Sequence, residues 1–135
     1  MIEVYFDGAS AGNPGPSGAG IFIKANGEVY RHSIPLGNMT NHEAEFHAFI
    51  KALEICLEKG FKSVSFRTDS ELVNKSVEKE FAKNKLYAPL LETALVKTDK
   101  FELFFLKWVP SSMNKTADDL ARKAVRQNEV MEKAD

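Results

Sequence analysis

The run "GASAGNPGPSGAG", residues 8–20, holds five glycines, two prolines and an asparagine directly after the apolar stretch "IEVYFD". No helix tolerates that density of glycine and proline, so the chain leaves its first extended segment through irregular backbone. Glycine permits positive φ and close approach of other backbone, while proline stiffens what would otherwise be floppy. The run reads as a long, shaped loop beside Asp7. Residues 2–7, about 19–25 and about 28–35 are rich in Ile, Val, Phe and Tyr, and they are separated by glycine-bearing stretches. That pattern predicts three strands in a meander. The second and third flank Asn26-Gly27, a strong hairpin signal.

The period then changes. "TNHEAEFHAFIKALEICLEKG" carries helix formers throughout, with Thr40 and Glu43 spaced as a capping box and Gly60 as terminator. "KSVSFRTDS" predicts a strand running into Asp69, followed by a helix from Ser70 to about Phe81. Pro89 suits the first turn of a further helix to about Thr98. "FELFFLKWV" predicts the last strand, and "NKTADDLARKAVRQ" a closing helix capped by Asn114. This order predicts an α/β fold with a mixed sheet, parallel strands being added through helical crossovers.

At 135 residues, 44% hydrophobic and 27% charged, the chain suits one globular domain. We expect it to occupy residues 1–128, with 129–135 a charged, frayed tail. The single cysteine, Cys56, excludes an internal disulfide and a cysteine-cluster zinc site, and is expected as a small buried apolar residue. No basic segment followed by an apolar one opens the chain, and no apolar run approaches the ~18 residues of a membrane span, so a cytoplasmic protein is expected. The formal net charge is -1, from 18 basic and 19 acidic residues. No global positive field attracts a polyanion, so any nucleic-acid binding must be local or metal-assisted.

Four carboxylates stand where structure alone does not want them. Glu45 shares a helical face with Phe49, Ala52 and Cys56, which aims a carboxylate toward the core side. Asp118 lies on a stripe with Ala121 and Val125, whereas Asp119 lines up with Arg122 and Lys123 as a solvated surface acid. Asp7 and Asp69 end predicted strands, the edge at which open α/β sheets bind ligands. If the four converge, each close pair repels by about 1 kcal/mol in water and ~4 at a protein-surface dielectric. A cation is then required. An oxygen-only donor set favours Mg²⁺ held partly by carboxylates and partly by a phosphate substrate, which points to phosphodiester chemistry.

The stretches "YFDGASAGNPGPSGAG", "TNHEAEFHAFIKALE", "FRTDSELV" and "KWVPSSMNKTADDLARKA" resemble the type 1 ribonuclease H family, in order and over nearly the whole chain. The resemblance implies a five-stranded mixed sheet whose first three strands are antiparallel, flanked by helices. It implies a catalytic and metal-binding set of Asp7, Glu45, Asp69 and Asp118. Asp7 would bridge two Mg²⁺ ions, Glu45 and Asp69 would hold one of them with it, and Asp118 would help hold the other. Such ions lie about 3.5–4 Å apart, one generating the attacking hydroxide and one stabilising the leaving oxygen. The implied reaction is endonucleolytic hydrolysis of the RNA strand of an RNA/DNA hybrid, with Mn²⁺ as a substitute metal and double-stranded RNA left open as a second substrate. Ser10, Gly12 and Asn13 would offer small donors to ribose 2′-hydroxyls, the group that distinguishes RNA from DNA. Thr40, Asn41, Ser70 and Glu71 match further substrate-contact positions.

The chain departs from the family pattern in two places. Between Trp108 and Asp118 there is no histidine, where many members carry one in a longer mobile loop; His32, His42 and His47 lie elsewhere and read as surface or structural residues. The basic, Trp-rich protrusion of well-studied bacterial members is replaced by "VEKEFAKNKLYAP", in which Glu78 and Glu80 interrupt Lys75, Lys79, Lys83 and Lys85. No additional hybrid-binding domain is expected ahead of the first strand, and a monomer suffices. The competing readings are a non-catalytic nucleic-acid-binding module on the same scaffold, and an exonuclease or integrase-like relative. Retention of all four carboxylates favours the nuclease over the module, and the Gly-Asn-Pro-Gly loop disfavours the wider superfamily.

Overall fold

The computed structural model describes residues 1–133. Strands β1 (Ile2–Ser10), β2 (Gly15–Ala25) and β3 (Glu28–Met39) form an antiparallel meander, followed by α1 (Asn41–Glu58), β4 (Ser63–Thr68), α2 (Glu71–Lys79), α3 (Ala88–Thr98) and β5 (Leu103–Trp108). A single 3-10 turn at Ser111–Met113 leads into α4 (Lys115–Lys133). The sheet order is β3-β2-β1-β4-β5, with β4 and β5 parallel to β1. The expected mixed sheet with three antiparallel strands is therefore present.

Local signals account for most element ends. Asn26 and Gly27 both take positive φ, the backbone that a two-residue hairpin requires. Thr40 caps α1 in a full capping box with Glu43, and Gly60, at φ 76°, follows its end. The α2 helix stops two residues earlier than its expected end at Phe81, because Glu80 turns left-handed and leaves Phe81 on the surface. At the other end of the chain, α4 continues to Lys133, through most of the segment expected as a frayed tail.

One expectation fails in an informative way. The glycine-rich run is mostly sheet: β1 continues to Ser10 and β2 begins at Gly15, so only residues 11–14 form the turn. The glycines beyond the turn answer to packing. A Cβ on Gly20 would come 2.0 Å from the Ala117 carbonyl oxygen and 2.4 Å from the Ala121 nitrogen, and one on Gly18 would meet Ala124 and the Ala121 carbonyl of α4. On the opposite face a Cβ on Gly8 would lie 2.2 Å from the Ala44 carbonyl oxygen of α1. Each of these glycines lets a helix lie directly on the strand backbone.

The two faces of the sheet divide accordingly. Val4, Phe6, Ile21, Ile23, Val64 and Phe66 point to the α1 side and are fully buried with Phe46, Phe49 and Leu53. Phe6 stacks on Phe49 at 5.0 Å, and Phe66 meets Phe49 edge-on at 5.8 Å. Cys56 is buried among them, as expected. The other face carries α4 over β1–β3, where Ser33 donates to the Leu120 carbonyl and the buried Asn128 amide donates to the carbonyls of Ser17 and Gly37.

Gly20→Ala is expected to destabilise the fold by about 1–3 kcal/mol, the range for overpacking a close-packed site. Urea denaturation measures the loss. Trimming the Ala121 side chain does not restore it, because the nearest atoms a Cβ would meet are backbone.

Candidate active site

Asp7 lies near the carboxyl end of β1, on the α4 face, directly opposite Gly20 in the register. Gly8, next in the chain, admits the first turn of α1 and with it Glu45; Gly20 admits the first turn of α4 and with it Asp118. Asp69 immediately follows β4, the parallel neighbour of β1. All four carboxylates gather at one end of the central strands.

Their proximity registers on Asp7, whose carboxyl is pushed up to about 9. Burial is the largest cause, followed by the charge of Asp69, a hydrogen bond with Asp118, and the charges of Asp118 and Glu45. The helix positions behave as their spacing suggests: Phe49, Ala52 and Cys56 are fully buried below Glu45, whose side chain keeps 15% exposure at the rim. Arg122 pairs with Asp118 at 3.2 Å, one turn along α4, and not with Asp119 as the spacing suggested. The arginine therefore offsets part of the negative charge.

Asp69 is held from two sides. The Asn114 amide donates to its Oδ1 at 2.9 Å and to the Phe6 carbonyl at 3.0 Å, and Trp108 Nε1 donates to its backbone carbonyl at 3.1 Å. Asn114 is buried, and its own Oδ1 has no partner among the described residues. Its position before α4 suggested only a cap, but the side chain instead ties β1, Asp69 and α4 together. The sequence signal was its place one turn ahead of Asp118, which reads equally well as capping. His42 was also missed: its Nδ1 lies 2.9 Å from Glu45 Oε1, and its ring meets Tyr87 edge-on.

The expected substrate-contact residues separate by what their polar atoms already do. Ser10 donates its hydroxyl inward, toward the carbonyls of Gly12, Gly15 and Met39. Thr40 donates to Glu43 and accepts from its backbone N–H, and Ser70 is a buried cap accepting from the Val73 N–H. The Asn13 Oδ1 accepts from the Asn41 N–H at 3.2 Å across the loop, which leaves its amide N–H groups outward. Gly12 sits in the same turn at φ 156°, while Asn41 and Glu71 are exposed at the starts of α1 and α2. Asn13, Asn41 and Glu71 are thus the side chains with free reach.

The donor set is oxygen-only, and burial together with the neighbouring carboxylates pushes the Asp7 carboxyl up. Such a set fits a hard divalent cation. Among the described residues no three His, Cys, Asp or Glu side chains already stand in ligating geometry.

With a chelator present, stability should fall as pH rises from about 4 to about 9. In that window the folded Asp7 keeps a proton that the unfolded chain releases. Asp7→Asn removes the titration, and we expect it to raise stability at pH 8 by more than about 1 kcal/mol and to flatten the slope. Thermal denaturation across pH checks both the sign and the window.

A family model described as "Reverse transcriptase-like" matches residues 5–124. A protein provisionally designated hydrolase EbsB, from Enterococcus faecalis, is 40% identical over 128 residues, spanning 93% of this chain and 95% of that one. The ribonuclease HI of Halobacterium salinarum is 35% identical over 130 residues, 92% of this chain and 64% of that protein. The crystal structure of RNase H1 from this archaeon superposes with a TM-score of 0.87 at 32% identity, over 93% of this chain and 98% of that one. The LC11 RNase H1, isolated from compost, has been crystallised with an RNA/DNA hybrid; it superposes with a TM-score of 0.82 at 29% identity, over 94% of this chain and 98% of that one. The shared sheet order, the family match and these relatives agree, and the chain belongs to the type 1 ribonuclease H family.

Proposed function

We propose that this chain is a metal-dependent endonuclease that hydrolyses the RNA strand of RNA/DNA hybrids. The observation that carries the reading is the convergence of Asp7, Glu45, Asp69 and Asp118 at one end of the central strands, where Gly8 and Gly20 let α1 and α4 lie on the strand backbone. The likeness to ribonucleases H, one of them crystallised with an RNA/DNA hybrid, supports the substrate.

Asp7, Glu45 and Asp69 would hold one Mg²⁺, and Asp7 with Asp118 a second, Mn²⁺ being the expected substitute. Ions held there supply charge to activate the attacking water and to stabilise the leaving oxygen of an in-line displacement. The chain's own residues set the stage. Asn114 and Trp108 fix the orientation of Asp69, and Arg122 steadies Asp118 at the mouth. His42 braces Glu45 from the solvent side. Asn13 and Asn41, linked across the loop, form a pair of neutral amides suited to 2′-hydroxyls and base edges of a minor groove, and Glu71 borders the same opening. Ser10, Gly12, Thr40 and Ser70 act mainly by shaping this surface. We read the working form as a cytoplasmic monomer; among the described residues no helix is long and apolar enough to cross a membrane.

The test is cleavage of an end-labelled RNA/DNA hybrid at low salt with Mg²⁺ and, separately, Mn²⁺. Wild-type protein is expected to cut the RNA strand, and Asp69→Asn to lose more than about a hundredfold in rate, beyond the 10–100-fold typical of outer-shell changes. A hybrid bound but uncut with either metal would leave a binding module in place of an enzyme. Hybrid affinity is expected to be weak and to fall steeply with salt, since phosphate contacts set that slope. An affinity that barely changes between low and physiological salt would contradict it.

A further inference from the structure

The pleat places Glu3, Tyr5 and Asp7 on one face of β1, and the sheet register extends Tyr5 into a row across all five strands: Arg31, Phe22, Tyr5, Arg67 and Lys107. The next row is Val29, Lys24, Glu3, Ser65 and Phe105. The helix α4 lies farther along the strands, over Gly18 and Gly20, and covers neither row. Val29 and Phe105 are each 49% exposed, and Met113 at the rim is 60% exposed. A groove runs between this face and the start of α4, lined by Tyr5, Phe22, Lys24, Met113 and Lys115.

Charge and aromaticity coincide here. Lys24 Nζ lies 5.6 Å from the Tyr5 ring and 5.7 Å from the Phe22 ring, Arg31 sits 5.2 Å from Phe22, and Arg67 sits 5.4 Å from Tyr5. The two rows hold four cations against one carboxylate, Glu3, which Arg67 already pairs, whereas the whole chain is -1. Positive charge is therefore segregated onto an open aromatic surface, contiguous with the Asp7 end of the same strand.

We propose that this face binds single-stranded DNA that continues beyond the duplex held at the carboxylates. Rings alternating with cations serve base stacking and phosphate contact together. An exposed cation–π pair is weaker than a base stacked on an aromatic ring, so the cations move to phosphates as bases take their places. The surface offers little to read ribose. Tyr5 accepts from Arg67 and donates to Glu3, while Ser65 accepts from Arg67 and keeps its own O–H. With a single neutral hydroxyl donor across two rows, recognition of 2′-hydroxyls is sparse, which favours DNA over RNA. The proposal concerns binding and does not depend on cleavage.

The test measures fluorescence anisotropy of a labelled 15-nucleotide oligodeoxythymidine at low salt, with oligouridine of equal length in parallel, and cleavage of a blunt hybrid as a separate readout. In Arg31→Glu/Lys107→Glu, affinity for the DNA strand is expected to fall at least tenfold while blunt-hybrid cleavage stays within twofold. Phe22→Ala should show the same split. Lys62→Glu/Lys100→Glu, with the same change in charge away from this face, should leave affinity within twofold. Absence of wild-type binding, equal loss in the control variant, unchanged affinity in the first variant, or tighter binding of oligouridine would each overturn the proposal. If no hybrid is cut yet strand binding depends on Arg31 and Lys107, the nuclease reading falls and this surface stands.

Discussion

Two contacts without side chains hold the site together: the first turn of α1 against Gly8, and the first turn of α4 against Gly20. These glycines flank Asp7, one as its chain neighbour and one as its partner across the sheet. Helix axes ordinarily stand off a sheet by the depth of a side-chain layer. Removing that layer at two positions, on opposite faces, brings helix termini to strand backbone and carries Glu45 and Asp118 toward the same carboxyl. The convergence is thus a packing property before it is an electrostatic one. The fold would rather separate like charges, and the close-packed backbone does not let it.

The surrounding polar groups make sense as a response to that enforced crowding. Arg122 pairs with Asp118, His42 sits against Glu45, and Asn114 gives Asp69 a donor, while burial and its three neighbours push the Asp7 carboxyl up. Partners therefore reach the three peripheral carboxylates, whereas none of these side chains bonds to the central one. A cation entering the cluster competes with peripheral pairings, not with a closed network of salt bridges. Buried charges tied up in full networks are costly to free, and here the central carboxylate is left available.

Features set by local chemistry were legible in the sequence. The Asn26-Gly27 hairpin, the Thr40–Glu43 capping box, Pro89 in the first turn of α3 and the place of Asp69 just past β4 all follow from neighbours within a few residues, whereas Asp7, read as a strand end, lies inside β1, which runs on to Ser10. Features set by tertiary contact were not. Glycine carries the same letter in a turn and under a helix, so Gly18 looked like loop, and nothing at Gly20, in the expected second strand, announced that α4 lies on it. Arg122 could reach either Asp118 or Asp119, and only the helix's seating on the sheet decides for Asp118. Asn114 reads as a cap because its partners, Phe6 and Asp69, are distant in the chain. The Ser10 hydroxyl reaches the Met39 carbonyl, 29 residues along the chain, a contact that no local pattern announces.

The same division explains how stability and activity are linked here. A ligand that binds the folded site and not the unfolded chain adds stability by mass action, about 2.7 kcal/mol at a hundredfold excess over its dissociation constant. The carboxylate cluster works against folding as pH rises, through the charge Asp7 would have to carry. Cation binding removes that penalty and adds its own free energy at one place. The aromatic core around Phe6, Phe49 and Phe66 lies on the other side of β1 from Asp7 and is indifferent to this charge. The sheet thus separates the apolar layer that holds the fold from the charged layer that strains it, and the strain is confined to where an ion can relieve it.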